Sequence, residues 1–193
     1  YGAVFGFPLD GYCRELGFAL AERAAYERLS DDFSALYEPR RLECCLRSGA
    51  RAVLARVGSQ TGGQSLLSAY SHRRLEELVG AYGLEGCFDA VVGAANDYGE
   101  GKIELGRRHL SRLGCRPAEV LVVGDTLHDL EVARAMGAGC VLIDSGHQHA
   151  ARLRAGGAAV IASLEEVATL VAGGQPEAQR ARPAHEEGRW TDR

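Results

Sequence analysis

The stretch Glu119-Val-Leu-Val-Val-Gly-Asp-Thr-Leu-His-Asp129 limits the possible folds of this chain more than any other. Val120 to Val123 is too short and too β-branched for a helix and reads as a buried parallel strand. Gly124 permits a tight turn and leaves Asp125 at the strand's carboxyl end, where open α/β sheets bind their ligands. Asp129 follows about one helical turn later, in a predicted helix that runs through Val132, Ala133 and Met136 and stops at Gly137. Two hard oxygen ligands near one strand tip suit a small divalent cation such as Mg²⁺. The bland reading of the same residues is an Asp that caps the next helix, with a solvated Asp129 behind it.

The rest of the chain agrees with this unit. From about residue 43, short apolar segments alternate with helical ones. A helix is predicted over Leu42 to Arg56, then a Gly-rich link at Gly58 to Gly63 and a strand Ser65 to Leu67 ending at Ser68. A helix over His72 to Tyr82, a strand Ala90 to Val92 and an amphipathic helix opened by Lys102 follow. After the Asp125 unit come strands at Cys140 to Ile143 and Ala159 to Ile161, and a helix at Leu164 to Val171. This rhythm predicts an α/β fold: a Rossmann-like parallel sheet wrapped by helices, with right-handed crossovers. Residues 1–42 lack the rhythm and read as a helical accessory segment, with a helix over Leu16 to Leu29. Residues 43–172 form the α/β core, and residues 173–193 read as a polar, disordered tail that includes Trp190.

Composition excludes several classes. An apolar fraction of 46% and a charged fraction of 25% are ordinary for a soluble globular protein. A net charge of −4, with no basic run interleaved with aromatics, argues against nucleic acid as a partner. No apolar run is long enough to span a bilayer, no signal peptide is visible, and the cytoplasm is the expected location. The six cysteines are scattered without a Cys-x-x-Cys pair, and Cys115 and Cys140 near predicted strands read as buried, reduced thiols. Of 22 basic residues, Lys102 alone is lysine. A compact ammonium fits between a phosphate and carboxylates where a broad guanidinium often does not.

Ser68, Lys102 and the pair Asp125/Asp129 therefore lie in chain order at or just after strand ends. A hydroxyl with backbone N–H groups at Ser68 and Ala69 can hold a phosphate, lysine can neutralise it, and carboxylate-bound Mg²⁺ can offset charge developing in phosphoryl transfer. In this order the set resembles the haloacid dehalogenase-like (HAD) hydrolase superfamily, in its phosphoglycolate-phosphatase-like branch. Leu66-Leu-Ser-Ala69 looks like that family's second motif, Lys102 like the third and Gly124-Asp-Thr-Leu-His-Asp129 like the fourth. Phe88-Asp-Ala-Val-Val-Gly93 and Asp144-Ser-Gly-His147 also look like family signatures, and the resemblance covers about residues 43 to 170.

The family's first motif, a strand ending Asp-x-Asp-Gly-Thr with the nucleophilic Asp first, is not matched. Aligning Asp10-Gly11 of Phe5-Gly-Phe-Pro-Leu-Asp-Gly11 with it puts Pro8 at the nucleophile, and proline breaks the ladder of a central strand. The expectation is a chain whose first motif lies upstream of Tyr1, with residues 1–42 belonging to a cap inserted after the first strand. The resemblance then implies a Mg²⁺-dependent phosphatase of small phosphorylated metabolites acting through an aspartyl-phosphate. In it, Ser68 would bond the phosphoryl group, Lys102 would neutralise nucleophile and phosphate, and Asp125 would ligate Mg²⁺. Asp129 would bind the metal through water or position Lys102. One alternative is a non-catalytic phosphate- and metal-binding relative with a regulatory role. A receiver-like signalling domain also gathers Asp and Lys around Mg²⁺, but there the lysine follows the acidic residues. Gly58-Ser-Gln-Thr-Gly-Gly63 lacks the Gly-Lys-Ser/Thr ending of a phosphate loop and reads as a helix-to-strand link. His147 and His149 read as a polar loop near the active face, and the sequence does not decide the role of His128.

Overall fold

The computed structural model describes residues 2–95 and 101–173. The chain begins with helices α1 (Leu9–Glu15) and α2 (Arg23–Tyr37) and a 3-10 turn at Glu38–Glu43. The core then runs α3 (Ala50–Gln60), β1 (Ser65–Ser71), α4 (His72–Ala81), β2 (Ala90–Ala94), α5 (Lys102–Leu113), β3 (Leu121–Gly124) and α6 (Leu127–Met136). It closes with β4 (Gly139–Ile143), α7 (Ala150–Ala155), β5 (Val160–Ile161) and α8 (Leu164–Ala172). All strand pairs are parallel, in two sets: β1 with β2, and β3–β4–β5.

Strand β4 shows why the sheet is wrapped on both sides. Val141 and Ile143 face Val53 of α3 and Val167 of α8, while the alternate residues Cys140 and Leu142 face Leu130 and Ala133 of α6 and Leu153 of α7. Side chains alternate faces along a strand, so an unbroken apolar run needs cover on both. Helices α4 and α5 both pack on β1 and β2. The two strand sets share one helical layer. Leu67 of β1, Ile103 and Leu110 of α5, and Val122 of β3 all pack on Val132, Met136 and Ala138. Gly106 permits this, since a Cβ there would lie 2.8 Å from the Met136 sulfur and 3.1 Å from Val132. Yet β1 and β3 are not bonded to each other, and among the described residues each pairs on one edge alone. Val123, within β3, is 40% exposed. Ala3 to Phe7 form turns and irregular backbone, not a strand that could join β1 to β3.

Several expected boundaries move. The helix expected over Leu16 to Leu29 starts only at Arg23, as α2: α1 ends at Glu15, Gly17 (φ 92°) follows its end, and residues 16–22 are not helical. The helix expected from Leu42 starts at Ala50, after Gly49 in the left-handed conformation (φ 76°). It then runs on to Gln60 through part of the expected Gly-rich link. Strand β1 continues past Ser68 to Ser71. The short helix α7 was not expected at all. The expectations for the tail, including Trp190, lie outside the described residues, as does the loop before Gly101.

The 3-10 turn is tied to the core by charge. Glu38 accepts from the Tyr70 hydroxyl (2.6 Å) and pairs with Arg74 (2.8 Å) and Arg41 (2.5 Å), and Arg41 also reaches Glu77 (2.5 Å). Burial first, and then the Glu38 carboxylate, pushes the Tyr70 phenol up to about 12.

Candidate active site at the tip of strand β3

Asp129 stands at the third position of α6 and closes a capping box with Thr126. Its Oδ2 accepts from the backbone N–H of Asp125 (3.1 Å), the N–H of Thr126 (3.0 Å) and the Thr126 hydroxyl (2.7 Å). Its Oδ1 accepts from the Lys102 ammonium at 2.5 Å. Burial alone would raise the Asp129 carboxyl. The Lys102 charge outweighs it, together with hydrogen bonds from Lys102, Thr126 and the Asp125 N–H, and holds it below the ordinary carboxylate value. Both oxygens of Asp129 are thus committed to protein donors.

Lys102 reaches this carboxylate because Gly101, in the left-handed conformation (φ 84°), turns the chain into α5 at that point. The lysine side chain is 16% exposed and Asp129 6%, so this is a largely desolvated pair. Gly124 makes the close packing feasible: a Cβ there would stand 2.3 Å from that of Asp129.

Asp125 points elsewhere. Its Oδ2 accepts from the backbone N–H of His147 at 2.7 Å, in the loop after β4. That loop approaches so closely that a Cβ on Gly146 would lie 2.1 Å from the Cβ of Asp125. Gln148 lies beneath the loop, 2% exposed, and its side-chain oxygen accepts from the N–H of Leu127 at the start of α6 (2.8 Å). Thr126, Gly146 and Gln148 are given no role by the sequence, although Thr126 and Gly146 lie in segments that resemble family motifs and Gln148 stands between His147 and His149.

The structure therefore brings Lys102 onto Asp129 and puts Asp125 beside them at the end of β3. Ser68 and Ala69 lie at a different kind of place from the one expected. Leu67 pairs with Val92 and Ser71 with Ala94, so residues 68–70 bulge opposite Gly93 alone, and α4 begins only at His72. Gly93 is obligatory there, because a Cβ would come within 2.8 Å of the Tyr70 carbonyl. The Ser68 hydroxyl accepts from the N–H of Tyr70 (3.1 Å), and no hydrogen bond joins it to Lys102, Asp125 or Asp129 among the described residues. The candidate first motif is no strand: Pro8 precedes α1, and Asp10 pairs with Arg14 at 2.7 Å. The described residues hold no cluster of three or more His, Cys, Asp or Glu suited to a metal, and none of their helices is long and apolar enough to cross a membrane.

Parallel strands wrapped by helices, with lysine and two aspartates at a strand tip, define a Rossmann-like α/β protein with a charged cluster at the carboxyl end of its sheet. Residues 101–167, from the start of α5 into the first turn of α8, match the HAD-hydrolase-like family model, and the match includes Lys102, Asp125 and Asp129. Solved structures share the fold. A predicted phosphatase from Clostridium acetobutylicum superposes with a TM-score of 0.75 at 16% identity, over 86% of this chain and 76% of that one. A conserved haloacid dehalogenase-like protein of unknown function from Agrobacterium tumefaciens gives 0.68 at 23% identity, over 89% and 79%. Protein tyrosine kinase A of Mycobacterium tuberculosis gives 0.68 at 20% identity, over 88% and 79%. No curated protein matches the chain. Neighbours described so differently, at such low identity, share a fold, and function must be argued from the site.

Proposed function

We propose that this chain carries the phosphate- and cation-binding half of a HAD-type phosphatase acting on small phosphate monoesters. The observation that carries the reading is the desolvated Lys102–Asp129 pair fixed beside Asp125 at the carboxyl end of β3. Asp125 would hold Mg²⁺ together with water and phosphate oxygens, a hard-oxygen set in which one or two carboxylates suffice. Bound there, the ion would offset charge on the transferring phosphoryl group. Asp129 does not suit direct ligation, since its oxygens already accept from Lys102, Asp125 and Thr126. It serves instead to hold the ammonium where it can meet a phosphoryl oxygen. Ser68 accepts one hydrogen bond and still has its own proton to donate to the same group.

The nucleophile in this reading is an Asp on a strand seated between β1 and β3, supplied from outside these 193 residues. Its oxygen would attack phosphorus and expel the alcohol. Water would then hydrolyse the aspartyl-phosphate, returning the carboxylate and inorganic phosphate. Support comes from β1 and β3, which among the described residues each leave one edge unpaired and are spanned by one helical layer.

The test is hydrolysis of p-nitrophenyl phosphate. The 193-residue chain alone should be inert. A longer chain, extended with the gene's upstream reading frame so that an Asp-bearing strand precedes Tyr1, should turn over only with Mg²⁺. Turnover by the short chain would overturn the external nucleophile. An inert longer chain that still bound phosphate would favour a non-catalytic relative.

A further inference from the structure

Among the described residues, four polar side chains are buried: His109, Thr126, Asp129 and Gln148. Thr126 and Asp129 belong to the carboxylate cluster. Gln148 joins three segments that are far apart in sequence. Its oxygen accepts from Leu127 N–H (2.8 Å) and its amide nitrogen donates to the Phe5 carbonyl (2.7 Å). The residue before it, His147, gives its N–H to Asp125 Oδ2 (2.7 Å). A primary amide presents a donor and an acceptor side by side at one end, which is what bridging an N–H and a C=O requires.

Around this bridge, residues 2–7 lie as a strap on the loop. Arg152 donates to the carbonyls of Phe5 (2.6 Å) and Ala3 (3.1 Å), and His149 N–H donates to the Gly2 carbonyl (3.2 Å). Phe5 stacks on the His147 ring at 4.8 Å, and Phe7 on the His128 ring in the first turn of α6 at 4.6 Å. The Leu127 N–H, one of the open donors of the α6 N-terminus, is consumed by Gln148 and is closed to an incoming anion.

We infer that Gln148 is the positioning residue of Asp125. It fixes the loop that holds the carboxylate to the start of α6 through Leu127 N–H and to the Phe5 carbonyl, so the amide bridge itself, more than the other strap contacts, sets where Asp125 stands. The inference takes its functional meaning from the cation role proposed for Asp125, and two independent measurements keep the two ideas apart.

The variants are Gln148→Met, of similar length without hydrogen bonds, and Arg152→Ala, which loosens the strap but leaves the amide bridge. Hydrogen exchange reads the His147 amide without any metal. Its protection should fall at least about tenfold in Q148M and less than about twofold in R152A, each measured under conditions where the variant is folded. Mn²⁺ titration should show affinity down about tenfold in Q148M, the usual cost of losing a residue that orients a metal ligand, and unchanged in R152A. Protection of His147 retained in Q148M, or lost equally in R152A, overturns the inference. If the parent chain binds no Mn²⁺ while the amide responds as expected, the positioning role stands and the cation role of Asp125 fails.

Discussion

Replacing Lys102 with methionine keeps the length of the side chain and removes the cation that pairs with Asp129. The carboxylate would keep its three donors on Oδ2, from Asp125 N–H and the Thr126 N–H and hydroxyl, but Oδ1 would lose the ammonium at 2.5 Å. Removing one partner of a buried pair costs about 3–5 kcal/mol, because the remaining charge is left uncompensated. The lysine side chain is 16% exposed, so water can partly replace it, and the lower end, about 3 kcal/mol at pH 7, is expected. For a chain of this size that corresponds to a drop of roughly 6–12 °C in melting temperature. The sign with pH follows from the lowered Asp129 carboxyl. In the parent chain its contribution is full above the unfolded value of about 3.9 and is lost as pH falls through the lower folded value. In K102M, burial acts without the ammonium and the carboxyl sits higher than in the parent, with the three donors on Oδ2 remaining, so the gap between the two proteins narrows as pH falls. Urea denaturation followed by far-UV circular dichroism at pH 7 and pH 4 should show the gap between the two proteins narrowing. A loss below about 0.5 kcal/mol, as for an exposed ion pair, or one independent of pH, would refute the reasoning.

Further outcomes follow from single contacts. Gly146→Ala places a Cβ 2.1 Å from that of Asp125, so the loop or the carboxylate must shift; a stability loss of about 1–3 kcal/mol and weakened Mn²⁺ binding are expected, from thermal melts and metal titration. His109 is buried with an unpartnered Nε2, and burial first, then Arg112, lowers its imidazole. Its share of stability is present above about 6.5 and lost as pH falls through the folded value, so melting temperature should drop from pH 7.5 to 5.5 in the parent but not in His109→Leu, which should be no less stable at pH 7. Burial, then the Asp129 charge, pushes the Cys140 thiol up to about 12. A thiol reagent should therefore label the exposed Cys44 and Cys45 in the native chain and spare Cys140 until unfolding, and equal labelling rates would contradict that burial.

How far the sequence carries can be read from these residues. The β3–Gly124–Asp125 turn and α6 with its Gly137 stop were legible because apolar period, glycine and cap all point the same way locally. Lys102 was legible through its rarity, and its pairing with Asp129 follows once α5 and α6 are neighbours. The Ser68 bulge was not, because it depends on the close approach of Gly93 to Tyr70 and His72, which pattern does not encode. Gln148 and Gly146 were equally hidden, since their roles exist only when a loop 21 or 22 residues away folds back over Asp125 and Leu127. The late start of α2 was hidden too: the helix expected from Leu16 runs across Gly17, and the true start at Arg23 has no side-chain cap to mark it.

Calorimetric titration of the chain with inorganic phosphate, with Mg²⁺ and again in EDTA, tests the cradle most directly. Phosphate should bind in the presence of Mg²⁺, lose that binding when the ion is removed, and fail to bind Asp125→Asn or K102M under conditions where each is folded. Equal binding with and without Mg²⁺, or undiminished binding by either variant, would contradict the assignment of Lys102, Asp125 and Asp129 to one anion site.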